Sequence, residues 1–229
     1  MNERLKEELD ILTTNYPQLS GCIDDVIAAF ELMKNTCRRG GIIMTCGNGG
    51  SAADAEHIVG ELMKGFKQKR PVTGEQRAAL LAAFPGDGSY LADNLQRGIP
   101  AISLVSQSSL LSAFINDVAH DMVFAQQVFG YGVEGDVLLG ITTSGYSRNV
   151  VNACKTAKAF GIGTIGLTGE NGGELPKICD VTIRVPASDT FRVQEYHIPI
   201  YHTLCAMLES VLFDIANVPS LRDPDESII

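Results

Sequence analysis

The chain has 229 residues, with 27 acidic and 18 basic side chains, a net charge of −9 and 45% hydrophobic residues. This composition can bury a core and its length fits one domain, which excludes a disordered or low-complexity polymer. The acidic balance argues against nucleic-acid binding, because such proteins hold phosphates with many Lys and Arg side chains.

Membrane association is also disfavoured. The longest apolar runs, such as residues 99–105, are far shorter than the roughly 20 residues that cross a bilayer. The charged opening over residues 1–10 lacks the apolar segment of a secretory signal, so we expect a cytoplasmic protein. Its six cysteines include no Cys-x-x-Cys pair, which indicates free thiols rather than a cysteine zinc cluster.

Strands and helices alternate along the chain. Apolar residues at helical spacing predict two helices within residues 2–39, broken at Tyr16-Pro17. Helices are also predicted over residues 52–66, with Ser51 near the N-cap, over 148–160, and over 191–213. Short apolar runs predict five strands, over residues 42–46, 101–105, 136–141, 164–168 and 181–185.

This alternation predicts an α/β domain with a mostly parallel five-stranded sheet. We expect one domain over residues 1–229, with N-terminal helices in 1–39, an α/β core in 40–213 and a frayed tail in 214–229. Residues 67–98 are the least regular part, an excursion between two strands with a short helical patch at 77–83.

Two polar turns each join a strand to a helix. The first is Gly47-Asn48-Gly49-Gly50-Ser51, and the second spans Thr142 to Ser147. Ligands of parallel sheets bind at the carboxyl ends of strands, where helix N-termini present unpaired N–H groups. Glycines and hydroxyls there predict a phosphate site, although each turn alone is compatible with an ordinary strand-to-helix connection.

Titratable side chains follow on two helices. His57 and Glu61 are four residues apart and share a helix face, while Gln194, His197 and His202 lie among apolar residues. Such groups are often surface or hydrogen-bonded core residues, but they also suit proton transfer or zinc binding. The basic residues Lys64, Lys67, Lys69 and Arg70 are interpreted as a solvated helix end.

From about Cys22 to Phe213 the sequence resembles the sugar isomerase (SIS) domain proteins and, within them, the phosphoheptose (sedoheptulose 7-phosphate) isomerases. The resemblance is carried by four stretches, Cys46–His57, Gly135–Ser147, Leu167–Gly169 and Arg192–His197. It implies a three-layer α-β-α sandwich and a homotetramer with active sites at subunit interfaces. The implied reaction interconverts D-sedoheptulose 7-phosphate and D-glycero-D-manno-heptose 7-phosphate, which feeds heptose nucleotides into surface polysaccharides.

The resemblance also implies roles for individual residues. Glu61 would be the base that moves a proton between C1 and C2 through an enediol, with His202 as the partner acid. One zinc ion per subunit would be bound by His57, Glu61, Gln194 and His202. The implied substrate contacts are Asn48, Gly49, Gly50, Ser51, Glu61, Asn116, Asp117, Thr142, Thr143, Ser144, Ser147 and Gln194.

Some features qualify this assignment. Gln194 and His202 are eight residues apart, about 12 Å along a regular helix, so a shared metal needs an irregular helix or another subunit. The 67–98 excursion and Phe191 depart from the family pattern. A non-catalytic relative, the DnaA initiator-associating protein, is the main alternative, but that branch lacks the Glu61 and His202 pair. An isomerase of another sugar phosphate is a third interpretation.

Overall fold

A computed structural model describes residues 3–213, so the predicted tail at 214–229 lies outside the described residues. Helix α1 (Glu3–Asn15) and helix α2 (Ile23–Arg38) are separated by a 3₁₀ turn over Pro17–Cys22. The predicted break at Tyr16-Pro17 is therefore confirmed. Leu5, Leu9 and Leu12 form the buried stripe of α1, which packs against the last helix.

Five parallel strands form one sheet in the order β2-β1-β3-β4-β5. The predicted parallel sheet is thus confirmed. Its short strands are rich in Ile, Leu, Val and Thr, and the central ones are fully buried, as expected for parallel sheets covered on both faces. The strands are β1 (Ile43–Cys46), β2 (Ala101–Ser103), β3 (Val137–Ile141), β4 (Gly163–Thr168) and β5 (Val181–Arg184).

Helices cover both faces of the sheet. Alternate residues of a strand point to opposite faces, so Ile43 joins one apolar cluster and Met44 the other. The first cluster packs α1, α2, α3 (Gly50–Met63) and α9 (Thr190–Leu212) on the sheet. The second contains residues of α7 (Val123–Tyr131) and α8 (Arg148–Ala159), with α6 (Ser108–Asp117) alongside.

The segment between α3 and β2 forms a helical hairpin. Helix α4 (Gly74–Ala83) starts with a capping box between Thr73 and Gln76 and packs against α5 (Gly88–Asn94). An antiparallel bridge between Pro71 and Gln96 closes its base. The short patch predicted at 77–83 is therefore part of a longer hairpin.

The strand order indicates where a ligand would bind beyond the sheet. Connections from β1 and β3 run in opposite directions along the sheet, so the order reverses between these two neighbours. Parallel α/β sheets bind ligands at such a reversal, outside the carboxyl ends of the strands. Both predicted polar turns follow these two strands.

Candidate active site

The first turn opens helix α3 without a side-chain cap. Gly49 is the N-cap, with φ +57° and ψ −122°, a conformation that favours glycine. Ser51, predicted near the N-cap, is the second residue of the helix, two positions after the N-cap, and is buried. Because no described side chain caps this end, the first N–H groups of α3 are available to an anion.

The second turn carries a cluster of hydroxyls. Thr142 Oγ1 and Ser147 Oγ are 2.9 Å apart, and Ser144 Oγ accepts from the Tyr146 N–H at 3.2 Å. Thr143 contributes its carbonyl to the Gly169 N–H at 3.1 Å. Ser147 is the N-cap of α8 but does not cap it with its side chain. This turn therefore presents hydroxyls and a helix N-terminus at the same crevice.

A pair of amide side chains joins the two turns. Asn48 Nδ2 donates to Asn149 Oδ1, and Asn149 Nδ2 donates back to Asn48 Oδ1, both at 2.9 Å. Two parallel hydrogen bonds fix the spacing between the turns. The role of Asn149 was not predicted from the sequence. Its position two residues after Ser147, at the start of the second helix, was the one indication of it.

Gln194 of α9 lies at the first turn. A Cβ atom placed on Gly50 would clash with Gln194 Nε2, so a larger residue at this position would displace the amide. Asn116 and Asp117, at the exposed end of α6, bond to each other, with Nδ2 and Oδ1 2.7 Å apart. The structure thus brings Gln194 to the turns but joins Asn116 and Asp117 only to one another.

The predicted base, Glu61 on α3, and the predicted acid, His202 on α9, lie close together on either side of His57. His57 Nε2 lies 3.1 Å from Glu61 Oε1 and 3.5 Å from His202 Nε2. The rings of His57 and His202 are in edge contact with centroids 5.0 Å apart. One cluster therefore contains three of the four predicted zinc ligands and both predicted catalytic residues.

Two residues that were not predicted orient this cluster. The Tyr201 hydroxyl is 2.9 Å from His57 Nδ1 and donates to Asp54 Oδ1 at 3.3 Å. Asp54 precedes His57 by one helical turn, and Tyr201 directly precedes His202. These positions next to predicted site residues were the indications that the sequence offered. Burial raises the pKa of Tyr201, so the phenol stays protonated.

Charge in the cluster favours an ionised Glu61 and a neutral His202. Burial raises the pKa of Glu61, but the Lys64 ammonium at 2.7 Å from Oε2 and His57 outweigh it, and the net pKa is lowered. Burial and the neighbouring His57 lower the pKa of His202. At neutral pH the pair therefore consists of a carboxylate and an uncharged imidazole.

The donor atoms of this cluster suit a zinc ion. If the Tyr201 proton is donated to Asp54, His57 Nδ1 donates to the Tyr201 oxygen, and Nε2 faces Glu61 with a lone pair. Donors of a tetrahedral zinc site are about 3.3 Å apart, because each bond is about 2.0 Å long. The spacings of 3.1 and 3.5 Å are close to this value, but within residues 3–213 no group of three or more His, Cys, Asp and Glu side chains is arranged to hold a metal ion.

The turns and the acid–base cluster are separate within one chain. Glu61 is eleven residues after Gly50, about 16 Å along the axis of α3. Gln194 and His202 are eight residues apart, about 12 Å along α9, and this helix is continuous through Pro199. The predicted site residues of one chain thus form two groups, which we call half-sites: the turns with Gln194, and His57 with Glu61 and His202.

Two glycine- or hydroxyl-bearing turns at the strand reversal of a parallel α/β sheet suit the binding of a phosphate group, and the carboxylate and imidazole further along α3 and α9 suit proton transfer. Residues 19–83 and 101–213 both match the SIS domain family. Phosphoheptose isomerases from Aliarcobacter butzleri and Maridesulfovibrio salexigens are 40% and 38% identical, over 80% and 93% of this chain and 84% and 89% of those proteins.

Solved structures show the same relationship. The phosphoheptose isomerase from Neisseria gonorrhoeae has a TM-score of 0.67 and 33% identity, covering 90% of this chain and 98% of that one. The chain therefore belongs to the SIS domain family, in its phosphoheptose isomerase branch. Within residues 3–213, no helix has the length and apolarity to cross a bilayer.

Proposed function

We propose that this protein is an aldose–ketose isomerase that interconverts D-sedoheptulose 7-phosphate and D-glycero-D-manno-heptose 7-phosphate. The observation that carries the proposal is the contact of Glu61 and His202 with the same His57 ring. Isomerisation moves one proton between neighbouring carbons, so it needs a base and a group that shuttles the proton of the oxygens. The product would feed heptose nucleotide synthesis.

Glu61 is the base in this proposal. Its carboxylate takes a proton from C1 of the ketose and returns it to C2 through an enediol. His202 donates the proton of one ring nitrogen to the C2 oxygen and takes the proton of the C1 hydroxyl back at the same nitrogen, which leaves the other nitrogen free to face a metal ion. Tyr201 and Asp54 hold the His57 ring, which contacts both groups.

The phosphate is held at the turns. Backbone N–H groups of α3 and α8 and the hydroxyls of Ser51, Thr142 and Ser144 supply donors without a cationic side chain. An acidic protein with a net charge of −9 can bind an anionic sugar in this way. Asn48 and Asn149 keep the two sets of donors at a fixed spacing.

Zinc is part of the proposal. His57, Glu61 and His202 of one chain would hold the ion, and Gln194 would complete the set. When bound, zinc polarises the sugar oxygens. The donor spacing and the Tyr201 contact to His57 Nδ1 support this assignment, because zinc-binding imidazoles usually donate their second N–H to an oxygen.

We further propose a homotetramer in which one chain's turns and Gln194 face the partner's acid–base cluster. The length of α3 between Gly50 and Glu61 supports a shared site, because one chain alone does not bring its two half-sites to one sugar. This arrangement also meets the requirement that Gln194 and His202 reach the same ion.

An isomerase assay over a panel of sugar phosphates, with and without a chelator, tests the function. We expect turnover of sedoheptulose 7-phosphate in preference to hexose and pentose phosphates. Chelation should lower the rate at least 10-fold, with recovery on adding zinc. Absence of turnover for every sugar phosphate, with zinc supplied, would contradict the proposal and favour a binding protein.

A further inference from the structure

A fully buried ion pair lies behind the acid–base cluster. The side chains of Arg70 and Glu209 are 0% and 2% exposed, and Arg70 Nε donates to Glu209 Oε1 at 2.7 Å. Arg70 was predicted to be part of a solvated basic run, and that prediction is wrong. Removing two charges from water is costly, so such a pair persists only where further hydrogen bonds satisfy both groups.

Glu209 binds the segment that follows α3. Its Oε1 accepts the Phe66 N–H at 2.8 Å, and its Oε2 accepts the N–H groups of Lys67 at 2.7 Å and Gln68 at 3.2 Å. Glu209 itself lies on α9, seven residues after His202 and thus two turns along the same face. It therefore ties the chain just beyond Glu61 to the helix that carries His202.

Arg70 binds the end of α3 itself. Nη1 donates to the Leu62 carbonyl at 2.7 Å, and Nη2 reaches the Glu61 carbonyl at 3.5 Å. The last carbonyls of a helix lack partners within it, and Arg70 donates to that of Leu62, which also accepts the Ile99 N–H at 2.8 Å, and approaches that of Glu61. Its guanidinium stacks on Phe213 at 4.5 Å from the ring centroid, which fixes its plane.

Both catalytic side chains are one contact away from this pair. Glu61 carries one of the carbonyls that Arg70 approaches. Phe66, whose N–H binds Glu209, packs its ring against His202 with centroids 5.4 Å apart. The pair is thus linked to the base through α3 and to the acid through Phe66.

We propose that Arg70 and Glu209 form a positioning unit that sets the distance between Glu61 and His202. The inference rests on the proposed isomerase function. Proton transfer is sensitive to such distances, because a shift of 1 Å can cost about 100-fold in rate. Neither residue touches the substrate, so both act through the groups that they hold.

Stability and positioning can be separated by the choice of variants. Removing one partner of a buried pair leaves an unpaired charge, whereas replacing both with apolar residues often preserves stability. We therefore compare Arg70→Lys with the double variant Arg70→Met/Glu209→Leu. Arg70→Lys keeps the charge but not the planar fork. Val128→Ala, in the core on the other face of the sheet, is the control for general destabilisation.

The first measurement is kinetic, below the unfolding midpoint of every variant. We expect kcat to fall about 10- to 100-fold in both Arg70 variants, with KM changed less than about 3-fold. The deuterium isotope effect for the ketose labelled at C1 should rise, because misplacement slows the proton transfer. Val128→Ala should leave kcat and the isotope effect unchanged. A folded double variant with wild-type kcat would overturn the inference.

The second measurement does not need turnover. Imidazole NMR shifts of His57 and His202 report the geometry of the cluster directly. We expect both to change in the Arg70 variants and to be unaffected by Val128→Ala. If both signals stay in place in the double variant, the positioning role is refuted. If they move but the wild-type protein isomerises no sugar phosphate, the positioning role holds and the proposed function fails.

Discussion

Glu61 is the residue whose replacement tests the proposed chemistry most directly. Gln keeps the size of the side chain and loses the charge that accepts a proton. We expect Glu61→Gln to lower kcat by at least about 100-fold, the usual contribution of a general base. His202→Ala should cause a loss of the same order, and thermal unfolding should show that both variants are folded.

A matched control lies on the same helix. Glu56 is five residues before Glu61, and its carboxylate accepts from Ser106 Oγ at 2.8 Å. Glu56→Gln should keep kcat within about 3-fold of wild type, because this carboxylate has no place in the proposed proton transfer. Equal losses for both substitutions, or unchanged turnover in Glu61→Gln and His202→Ala, would contradict the assignment of the base and acid.

His197 makes the free energy of unfolding depend on pH. It is 0% exposed, and within the described residues neither ring nitrogen has a hydrogen-bond partner. Burial lowers the pKa of His197 from 6.5 to about 4. Below pH 6.5 the unfolded chain binds a proton that the folded chain does not, so stability falls as the pH falls towards 4.

The His197 contribution at pH 5 is about 2 kcal/mol, because each pKa unit is worth about 1.4 kcal/mol. Urea unfolding at pH 7.5 and pH 5 should show this loss on top of any carboxylate contributions. His197→Gln should reduce the difference between the two pH values by about the same amount. An identical pH dependence in wild type and variant would show that this histidine is not buried in its neutral form.

At the scale of elements, local sequence patterns predicted the strands and the two polar turns. The apolar runs located all five strands to within two residues at either end, because buried parallel strands are short and continuous in hydrophobicity. The polar turns were predictable because glycine and hydroxyl residues directly follow two of these strands. The exact N-cap of α3 was not predictable, because Gly49 has a positive φ and no side chain, whereas N-caps are recognised in a sequence by their polar side chains.

The α4–α5 hairpin is an element that the sheet does not require. No residue of α4 is buried, and Phe84 and Tyr90 are 57% and 71% exposed. The bridge between Pro71 and Gln96 brings the two ends of the hairpin together, so a short linker can replace the hairpin. We expect replacement of residues 73–94 by Gly-Ser-Gly to shift the unfolding midpoint by less than about 5 °C.

This deletion keeps Arg70 and also Arg97, whose backbone N–H donates to the Arg70 carbonyl at 2.8 Å, so we expect the buried ion pair to keep its contacts. Circular dichroism and a thermal scan would measure the fold, and gel filtration would report the association state. An insoluble product, or a midpoint lowered by more than about 10 °C, would show that the hairpin is an integral part of the folded protein. A changed association state with a retained midpoint would assign the hairpin to contacts between chains.

At the scale of the whole molecule, the ion pair between Arg70 and Glu209 could not be predicted from the sequence. Glu209 and Arg70 are far apart in the chain, and a lone Glu in an apolar helix has the same pattern whether it is paired or exposed. The charge of Arg70 was misinterpreted because its three neighbouring lysines share the pattern of a solvated surface. Only the packing of α9 against the end of α3 reveals the pair.

The separation of the two half-sites also becomes visible only at this scale. Sequence spacing indicated that Gln194 and His202 could not easily share one ion within a regular helix. The structure places Gln194 against Gly50 and His202 against His57, at different levels of the same two helices. This separation supports the proposal that the half-sites of one chain act together with those of another chain.

Subunit mixing tests this shared site. Gln194→Ala removes one half-site and His202→Ala the other, so each variant alone should lose at least about 100-fold in kcat. If a site combines Gln194 of one chain with His202 of another, co-expression of the two variants creates some sites with both native residues. Random assembly would restore about a quarter of the wild-type sites.

The measurement is the specific activity of co-expressed, doubly tagged hetero-oligomers, purified by both tags in sequence. Mixing Glu61→Gln with His202→Ala is the control, because both substitutions lie in the same half-site and no assembly should restore it. Recovery in the first mixture and not in the second is the expected result. Failure of both mixtures, in confirmed hetero-oligomers, would mean that Gln194 and His202 act within one chain, and α9 would then have to bend at Pro199 to bring them together.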